Sequence, residues 1–256
     1  MSTLTGAVTA LTIETFRAEA GCLGYLVVDE ASRLALAVDP RLDQVDQFLE
    51  ALRARDARLA YVLDTHTHAD HLSGVRRLAQ RTEATVLAHA ASRLRTPARR
   101  VRGGDAVALG TRSIRVLDAP GHTPDSLALL VDDHLFTGDA LLAGGAGRTD
   151  FMGGSASDLF DTFRAFEALP DATVVHPGHD YVGRPTTTIG EEKAHNPLLR
   201  ERDRAALVAR LGGKAAPPAN MAAILRHNLG EAVEAPTVAP RDLQMLREGG
   251  APPLLL

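Results

Sequence analysis

Cysteine is almost absent from this chain of 256 residues, in which Cys22 is the only one. A lone cysteine excludes an internal disulfide and any zinc or iron–sulfur site built from several cysteines. No apolar run approaches the ~20 residues of a membrane-spanning helix, and the first cation, Arg17, comes too late for a secretory or organelle-targeting signal. We therefore expect a cytoplasmic protein with no membrane partner, in which histidines and carboxylates must hold any metal.

Positive charge is also limited, because 28 Lys and Arg are set against 32 Asp and Glu, a formal net charge of −4. This balance argues against a nucleic-acid partner bound by phosphate neutralisation. The basic run from Arg93 to Arg102 is interpreted as a solvated loop or as a contact between two copies in a homodimer. With 45% hydrophobic and 23% charged residues, the composition is that of a folded globular protein.

Short apolar runs such as residues 59–63 dominate the first 190 residues and predict strands. Between them, the spacing of apolar residues over 43–55 and 156–169 predicts amphipathic helices. This mixture indicates an α/β or α+β layered fold in which helices cover sheets. We expect residues 1–190 to form the core, and residues 191–256 to form a helical extension of the same domain with a surface tail from Glu231. Further helices are predicted over 71–80, 191–195, 198–211 and 220–228.

Histidines are concentrated in the segment Thr-His-Thr-His-Ala-Asp-His at residues 65–71, directly after the predicted strand 59–63. Alternate residues of an extended segment point to the same side, so His66 and His68 can converge on one point. Asp70 and His71 lie where the next helix is predicted and can face the same cavity. Three imidazoles and a carboxylate are costly to bring together without a cation, so this segment predicts a metal site.

Three later side chains have the position expected of further ligands. His122, Asp139 and His179 each follow a predicted strand and each comes next to a glycine. Glycine lets the backbone turn tightly at a strand end, where ligands are often presented. Each of these motifs is weak alone, but their order after residues 65–71 predicts that they complete the same site.

This ligand pattern resembles the metal-binding signature of the metallo-β-lactamase fold superfamily. The resemblance implies a four-layer αββα sandwich with the metal site at one edge of the two sheets. It also implies a first metal position drawn from His66, His68 and His122, and a second formed by Asp70, His71 and His179, with Asp139 between the two. All of these positions are filled by ligand-type residues here.

Within the superfamily, several segments resemble the persulfide dioxygenase branch, which is related to glyoxalase II. They are Gly-Arg-Thr-Asp-Phe at 147–151, His-Asp-Tyr at 179–181 and Pro-Ala-Asn-Met at 218–221. The resemblance implies one Fe(II) per chain, held by the catalytic triad His66, His122 and Asp139. Two histidines and one carboxylate are also the ligand set of many non-haem iron oxygenases. The same resemblance implies that the four remaining residues orient these ligands or hold a second metal: His68, Asp70, His71 and His179.

The substrates implied by this resemblance are O₂ and glutathione persulfide, which yield sulfite and glutathione. Arg148 and Tyr181 match substrate-side positions of the branch. The alternative for Arg148 is an ion pair with Asp150 that shapes the loop, and for Tyr181 a role in the core. Leu198 follows Asn-Pro where the branch has Arg, so a different low-molecular-weight or protein persulfide is an alternative substrate.

Two other functions remain open at this point. The complete ligand set fits a hydroxyacylglutathione thioester hydrolase resembling glyoxalase II, with two zinc or iron ions. A sensor that binds a metal or a persulfide without catalysis is the third alternative. For Cys22, we favour a small buried hydrophobic role over a redox-active thiol.

Overall fold

The computed structural model describes residues 10–150, 152–213, 216–218 and 220–231. The predicted surface tail therefore lies outside the described residues except for Glu231, and so does Phe151 of the segment 147–151. The strands are β1 (Leu11–Arg17), β2 (Leu23–Asp29), β3 (Leu34–Val38), β4 (Arg58–Leu63), β5 (Thr85–His89), β6 (Arg99–Val101), β7 (Ala106–Leu109), β8 (Arg112–Asp118), β9 (Leu127–Val131), β10 (His134–Gly138), β11 (Val174–Pro177) and β12 (Thr187–Thr188). The helices are α1 (Val45–Ala54), α2 (Val75–Thr82), α3 (Ala156–Glu167), α4 (Ile189–His195), α5 (Arg204–Leu211) and α6 (Met221–Leu229), with a 3₁₀ turn at Leu42–Gln44.

The strands form two six-stranded sheets, with the orders β1-β2-β3-β4-β5-β6 and β12-β11-β10-β9-β8-β7. In the first sheet β3 to β6 run parallel, and in the second β10 and β11 do. Helices α1 and α2 pack on the outer face of the first sheet, and α3 packs on that of the second. This arrangement confirms the predicted αββα sandwich.

Three apolar clusters separate the four layers. Strand β2 shows how the sequence builds them: Leu26 and Val28 pack towards α1, whereas Tyr25 and Val27 pack between the sheets. Such alternation follows from the two-residue period of a strand, which sends neighbouring side chains to opposite faces. On the far side, Phe163 of α3 lies in the third cluster. Burial of β2 on both faces explains its continuous apolar run.

Several strand ends meet at one edge of the sandwich. Strands β4, β8, β10 and β11 all end there, and each is followed by one of the segments that the sequence singled out. A hydrogen bond from the Leu127 amide to the Thr65 carbonyl, 2.9 Å long, joins the two sheets at this edge. An antiparallel bridge between Cys22 and His179 joins them a second time. The candidate ligands are therefore carried by loops with fixed ends.

The structure corrects two of the predicted helices. The helix predicted over 71–80 begins only at Val75, because His71 and Ser73 make hydrogen bonds to Asn228 rather than within a helix. The helix predicted over 198–211 begins at Arg204, where the Asp203 side chain caps it by accepting from two backbone amides. For α3, Ser155 is the cap: it accepts from the Asp158 amide.

Three short strands were not predicted from the sequence. They are Arg99–Val101, Ala106–Leu109 and Thr187–Thr188. The first carries part of the basic run, which is therefore not wholly a loop. All three lie at or beside a sheet edge, where few apolar residues are needed and the alternation of hydrophobicity is too brief to recognise.

The described part of the carboxyl-terminal extension packs on the core. Leu207 of α5 shares an apolar cluster with Phe163, and α4 spans the predicted boundary after residue 190. The Asn228 side chain of α6 is buried and donates to the carbonyls of His68 and His71, both at 2.9 Å, while it accepts from the Ser73 amide at 2.8 Å. The division at residue 190 stays a prediction. No helix in the described ranges is long and apolar enough to cross a membrane.

We expect the substitution Asn228→Ala to lower the free energy of unfolding by about 2–4 kcal/mol, because it leaves two buried carbonyls and one amide without partners. Asn228→Asp should cost at least as much, since a carboxylate would face the two carbonyls. Urea denaturation measures both effects. The control is Arg226→Ala on the exposed face of α6, for which we expect a change within about 0.5 kcal/mol. Equal effects of Asn228→Ala and Arg226→Ala would contradict this role of Asn228.

Candidate metal centre

The structure brings all seven candidate ligands together at the shared sheet edge. Each is more than nine-tenths buried. Their rings are in contact: the centroids of His66 and His122 lie 4.8 Å apart, and those of His68 and His71 lie 4.2 Å apart. The residues are His66, His68, Asp70, His71, His122, Asp139 and His179.

His66, His122 and Asp139 form a compact group in which one ligand atom from each lies within 4.8 Å of the others. The Nδ1 of His122 is 2.6 Å from the Arg148 carbonyl, and a carbonyl can only accept, so this nitrogen carries the proton. The lone pair of His122 is therefore on Nε2, which lies 3.8 Å from Asp139 Oδ2.

The tautomer of His66 is fixed in the same way. Its Nδ1 lies 3.0 Å from the Thr65 hydroxyl, and that hydroxyl donates to Asp39 Oδ2 at 2.9 Å. Having donated its proton, the hydroxyl accepts from His66 Nδ1, so the lone pair of this imidazole also resides on Nε2. Two lone pairs of imidazole and one carboxylate are thus available in one place.

The remaining ligand-type residues mostly make hydrogen bonds to one another. His179 faces Asp139 Oδ1 with Nδ1 at 2.7 Å and Asp70 Oδ2 with Nε2 at 3.0 Å. The same oxygen of Asp70 is 3.2 Å from His71 Nδ1. Both nitrogens of His179 face carboxylate oxygens, so both can donate to them. Two other buried nitrogens, His68 Nδ1 and His71 Nε2, have no hydrogen-bond partner among the described residues.

The electrostatics follow from this pairing. Burial together with the neighbouring His68 and His122 lowers the pKa of His66 to about 3, so the ring is neutral. Burial alone would raise the pKa of Asp139, but the contact with His179 holds it well below its usual value. Burial would also lower the pKa of His179, yet Asp139 and Asp70 raise it well above its ordinary value.

Two glycines allow the close approach of the loops. A Cβ added to Gly178 would lie 2.6 Å from Asp139 Oδ1, and one added to Gly147 would lie 2.8 Å from His122 Nδ1. Both distances are shorter than a non-bonded contact permits. The backbone therefore passes so close to the triad that only glycine fits at these two positions.

Asp39 is an important residue of this edge that the sequence reasoning missed. It directly follows β3, has a left-handed backbone (φ 50°) and is buried. Its Oδ1 accepts from the Thr65 amide at 2.6 Å and lies 3.0 Å from His68 Nε2. One signal could have identified Asp39 from the sequence. It lies at the end of a parallel strand, before Pro40, at the edge where the candidate ligands lie.

Asp125 ties two loops of the site to each other. Its carboxylate accepts from the Thr67 hydroxyl at 2.6 Å and from the Thr123 hydroxyl at 2.7 Å. A cavity of about 390 Å³ begins beside Thr67 and Asp125, and Arg93 lines it too. The apolar part of its wall is formed by Met152, Leu225 and Leu229. Part of the basic run therefore faces a cavity rather than open solvent alone.

The two predicted substrate residues differ in their surroundings. Tyr181 stacks on His179 with ring centroids 5.2 Å apart and an interplanar angle of 12°. The Arg148 guanidinium makes two 2.5 Å hydrogen bonds to Asp150, the ion pair weighed as an alternative, and a third to the Ala216 carbonyl at 3.0 Å. Leu198, in place of the expected Arg, packs against the cluster around α3.

The family model described as the metallo-beta-lactamase superfamily matches residues 26–179. This chain belongs to that superfamily, in agreement with the sandwich and with the ligand edge. The resemblance proposed from the sequence is thereby confirmed.

Relatives from two enzyme groups are similar to this chain. The human mitochondrial persulfide dioxygenase ETHE1 is 34% identical over 183 residues, which cover 68% of this chain and 70% of the relative. The hydroxyacylglutathione hydrolase of Halorhodospira halophila is 38% identical over 211 residues, which cover 80% and 79%. The crystal structure of ETHE1 from Myxococcus xanthus has a TM-score of 0.80 and 40% identity, and covers 86% of this chain and all of that one.

We expect Asp39→Asn to lower the free energy of unfolding by about 1–3 kcal/mol, because an amide cannot accept as strongly from Thr65 and His68 as a carboxylate does. Asn tolerates the left-handed backbone, so strain does not confuse the result. The control is Asp56→Asn, at a residue with similar backbone (φ 47°) and an exposed side chain. Urea denaturation should show almost no change for this control. Equal losses for the two variants would mean that the Asp39 contacts are not stabilising.

Proposed function

We propose that this protein is an iron-dependent persulfide dioxygenase that converts glutathione persulfide, or a similar low-molecular-weight persulfide, with O₂ to sulfite and the thiol. The single observation that carries the proposal is the hydrogen bonding of the imidazoles. His66 and His122 each keep a lone pair on Nε2 beside Asp139, whereas both nitrogens of His179 face carboxylates. This pattern supports one metal ion with three protein ligands. Similarity to ETHE1 supports the chemistry.

The donor set fits ferrous iron. His66, His122 and Asp139 would hold the iron through two imidazoles and one carboxylate, and Fe(II) would supply the redox chemistry that lets a persulfide react with O₂. The reaction consumes one O₂ and one water for each persulfide, RSSH + O₂ + H₂O → RSH + H₂SO₃. The outer sulfur leaves as sulfite, and the inner sulfur takes a proton and leaves as the thiol.

The residues of this chain have defined tasks in the proposal. The Asp39–Thr65–His66 chain and the Arg148 carbonyl keep both imidazoles in the ligating tautomer. His179 holds Asp139 in place through Oδ1. Tyr181 and Arg148 remain the proposed substrate-side residues, and for Arg148 this requires the substrate carboxylate to share the guanidinium with Asp150.

A thioester hydrolase with two metals is the second candidate. It is favoured by the free nitrogens His68 Nδ1 and His71 Nε2, which a second cation could use, and by the similarity to hydroxyacylglutathione hydrolases. In that reaction the metals would activate a water for attack on the thioester carbonyl. No O₂ would be consumed.

Oxygen uptake and sulfite release distinguish the two candidates. The protein is loaded anaerobically with Fe(II), its metal content is measured, and it is then given glutathione persulfide in an oxygen electrode. We expect about one iron per chain, by the ligand argument above, and equal amounts of O₂ consumed and sulfite formed. Hydrolysis of a hydroxyacylglutathione thioester without O₂ uptake, by protein holding two metals, would overturn the proposal.

We expect Asp139→Ala to abolish iron binding and persulfide oxidation, because the variant loses the anionic ligand and leaves His179 with one carboxylate partner. Metal analysis after desalting is the measurement. Asp133→Ala, at an exposed carboxylate next to β10, is the control and should bind iron as the unchanged protein does. Full iron occupancy in Asp139→Ala would show that the triad is wrongly chosen.

A further inference from the structure

A buried guanidinium lies beside the second group of ligand-type residues. Arg41 is only 4% exposed, and its Nη1 is 3.4 Å from the Sγ of Cys22. That sulfur is in turn 3.6 Å from Asp70 Oδ2. The rest of the guanidinium is held by Asp43, with Nε and Nη2 at 3.0 and 3.1 Å from its two oxygens. The charge of Arg41 therefore faces the cluster in a fixed place.

The backbone of Arg41 is fixed as well. Arg41 precedes the 3₁₀ turn at Leu42–Gln44 and pairs with Ser73 in an antiparallel bridge. Gly74 packs so closely against it that an added Cβ would lie 2.8 Å from the Arg41 carbonyl oxygen. Burial and the two hydrogen bonds to Asp43 then hold the side chain towards Cys22.

Without Arg41, this corner would have the donors of a metal site. Cys22, Asp70 and His71 each present one ligand atom, and these atoms lie within 4.8 Å of one another. His71 is only 3% exposed, and its Nε2 has no hydrogen-bond partner among the described residues. Sulfur, imidazole nitrogen and carboxylate oxygen together are donors that Zn²⁺ accepts readily.

We propose that Arg41 is a selectivity residue that prevents a divalent cation from binding to Cys22, Asp70 and His71, an inference that rests on the proposed single-metal function. Two physical reasons support it. Arginine keeps its charge at every pH at which the protein is folded, so it repels a metal ion placed against the sulfur. Its N–H also donates to the sulfur, so the guanidinium fills the space beside Sγ that a metal would need.

The same arrangement balances the charge of the site. Asp70 and Asp139 are both buried carboxylates, and a second metal would be one means of compensating them. Here the guanidinium of Arg41, which is also paired with Asp43, brings a positive charge next to Cys22. This covalently attached cation stands where a second metal would bind beside Cys22, Asp70 and His71.

The test counts Zn(II) ions bound per chain, a measurement that needs neither O₂ nor persulfide. We expect the unchanged protein and Arg41→Lys, which keeps the charge, to retain one Zn(II) after desalting, and Arg41→Met, which keeps the length without the charge, to retain two. The control is Arg81→Met, at an exposed arginine paired with Asp46 on the outer helices. It should behave as the unchanged protein does.

Cobalt identifies the ligand of the additional ion. In Arg41→Met loaded with Co(II), we expect the near-ultraviolet charge-transfer absorption of a thiolate bound to cobalt. The double variant Arg41→Met with Cys22→Ser should lack this absorption. Its presence in the double variant, or its absence from Arg41→Met holding two cobalt ions, would overturn the role of Cys22.

The outcomes separate this inference from the proposed function. Two zinc ions in the unchanged protein would overturn both. One ion in the unchanged protein and one in Arg41→Met would overturn only the role of Arg41. Circular dichroism establishes whether Arg41→Met is folded. If it is not, Arg41→Gln, which can still hydrogen-bond to Asp43, is counted in its place, and one ion per chain in that variant overturns the inference.

Discussion

The hydrogen bond between Asp139 and His179, 2.7 Å long, is the interaction on which the rest of the site depends. It joins the loops after β10 and β11, and it leaves the second oxygen of Asp139 facing His122. Through its other nitrogen, His179 reaches Asp70 on the loop after β4, so one imidazolium holds two carboxylates from different loops. All three groups are buried, and His179 lowers the pKa of Asp139, while His71 and His179 together lower that of Asp70.

The layered fold and the ligand edge could be predicted from the sequence because both depend on local pattern. The apolar run of β2 and the spacing in α1 follow from burial on two faces or on one. The segment 65–71 needs no tertiary information to suggest a metal. The short strands such as Arg99–Val101 could not be predicted, because a few residues at a sheet edge leave no periodic signal.

The supporting residues of the site were beyond sequence reasoning for a different reason. Asn228 reaches the carbonyls of His68 and His71 from 160 and 157 residues away, and Asp39 reaches His68 from 29 residues away. Neither residue belongs to a local motif. Each satisfies backbone or ring groups whose need for a partner appears only when the loop 65–71 is folded. The ligand residues can thus be recognised from the local sequence, whereas the groups that orient them come from distant segments.

An inventory of ligand residues therefore does not decide how many metals a member of this superfamily binds. The seven ligand-type side chains are all present here, yet which nitrogen of an imidazole carries a lone pair depends on the acceptor that faces its other nitrogen. A carbonyl opposite His122 Nδ1 places the proton there and leaves the lone pair on Nε2, whereas a carboxylate opposite each nitrogen of His179 favours a proton on both. In our proposal, the positive charge of Arg41 also limits how many metal ions bind. If such hydrogen-bond partners determine that a single metal binds, a hydrolase and an oxygenase can share every ligand residue. They would then differ in the group that faces the other nitrogen of each imidazole.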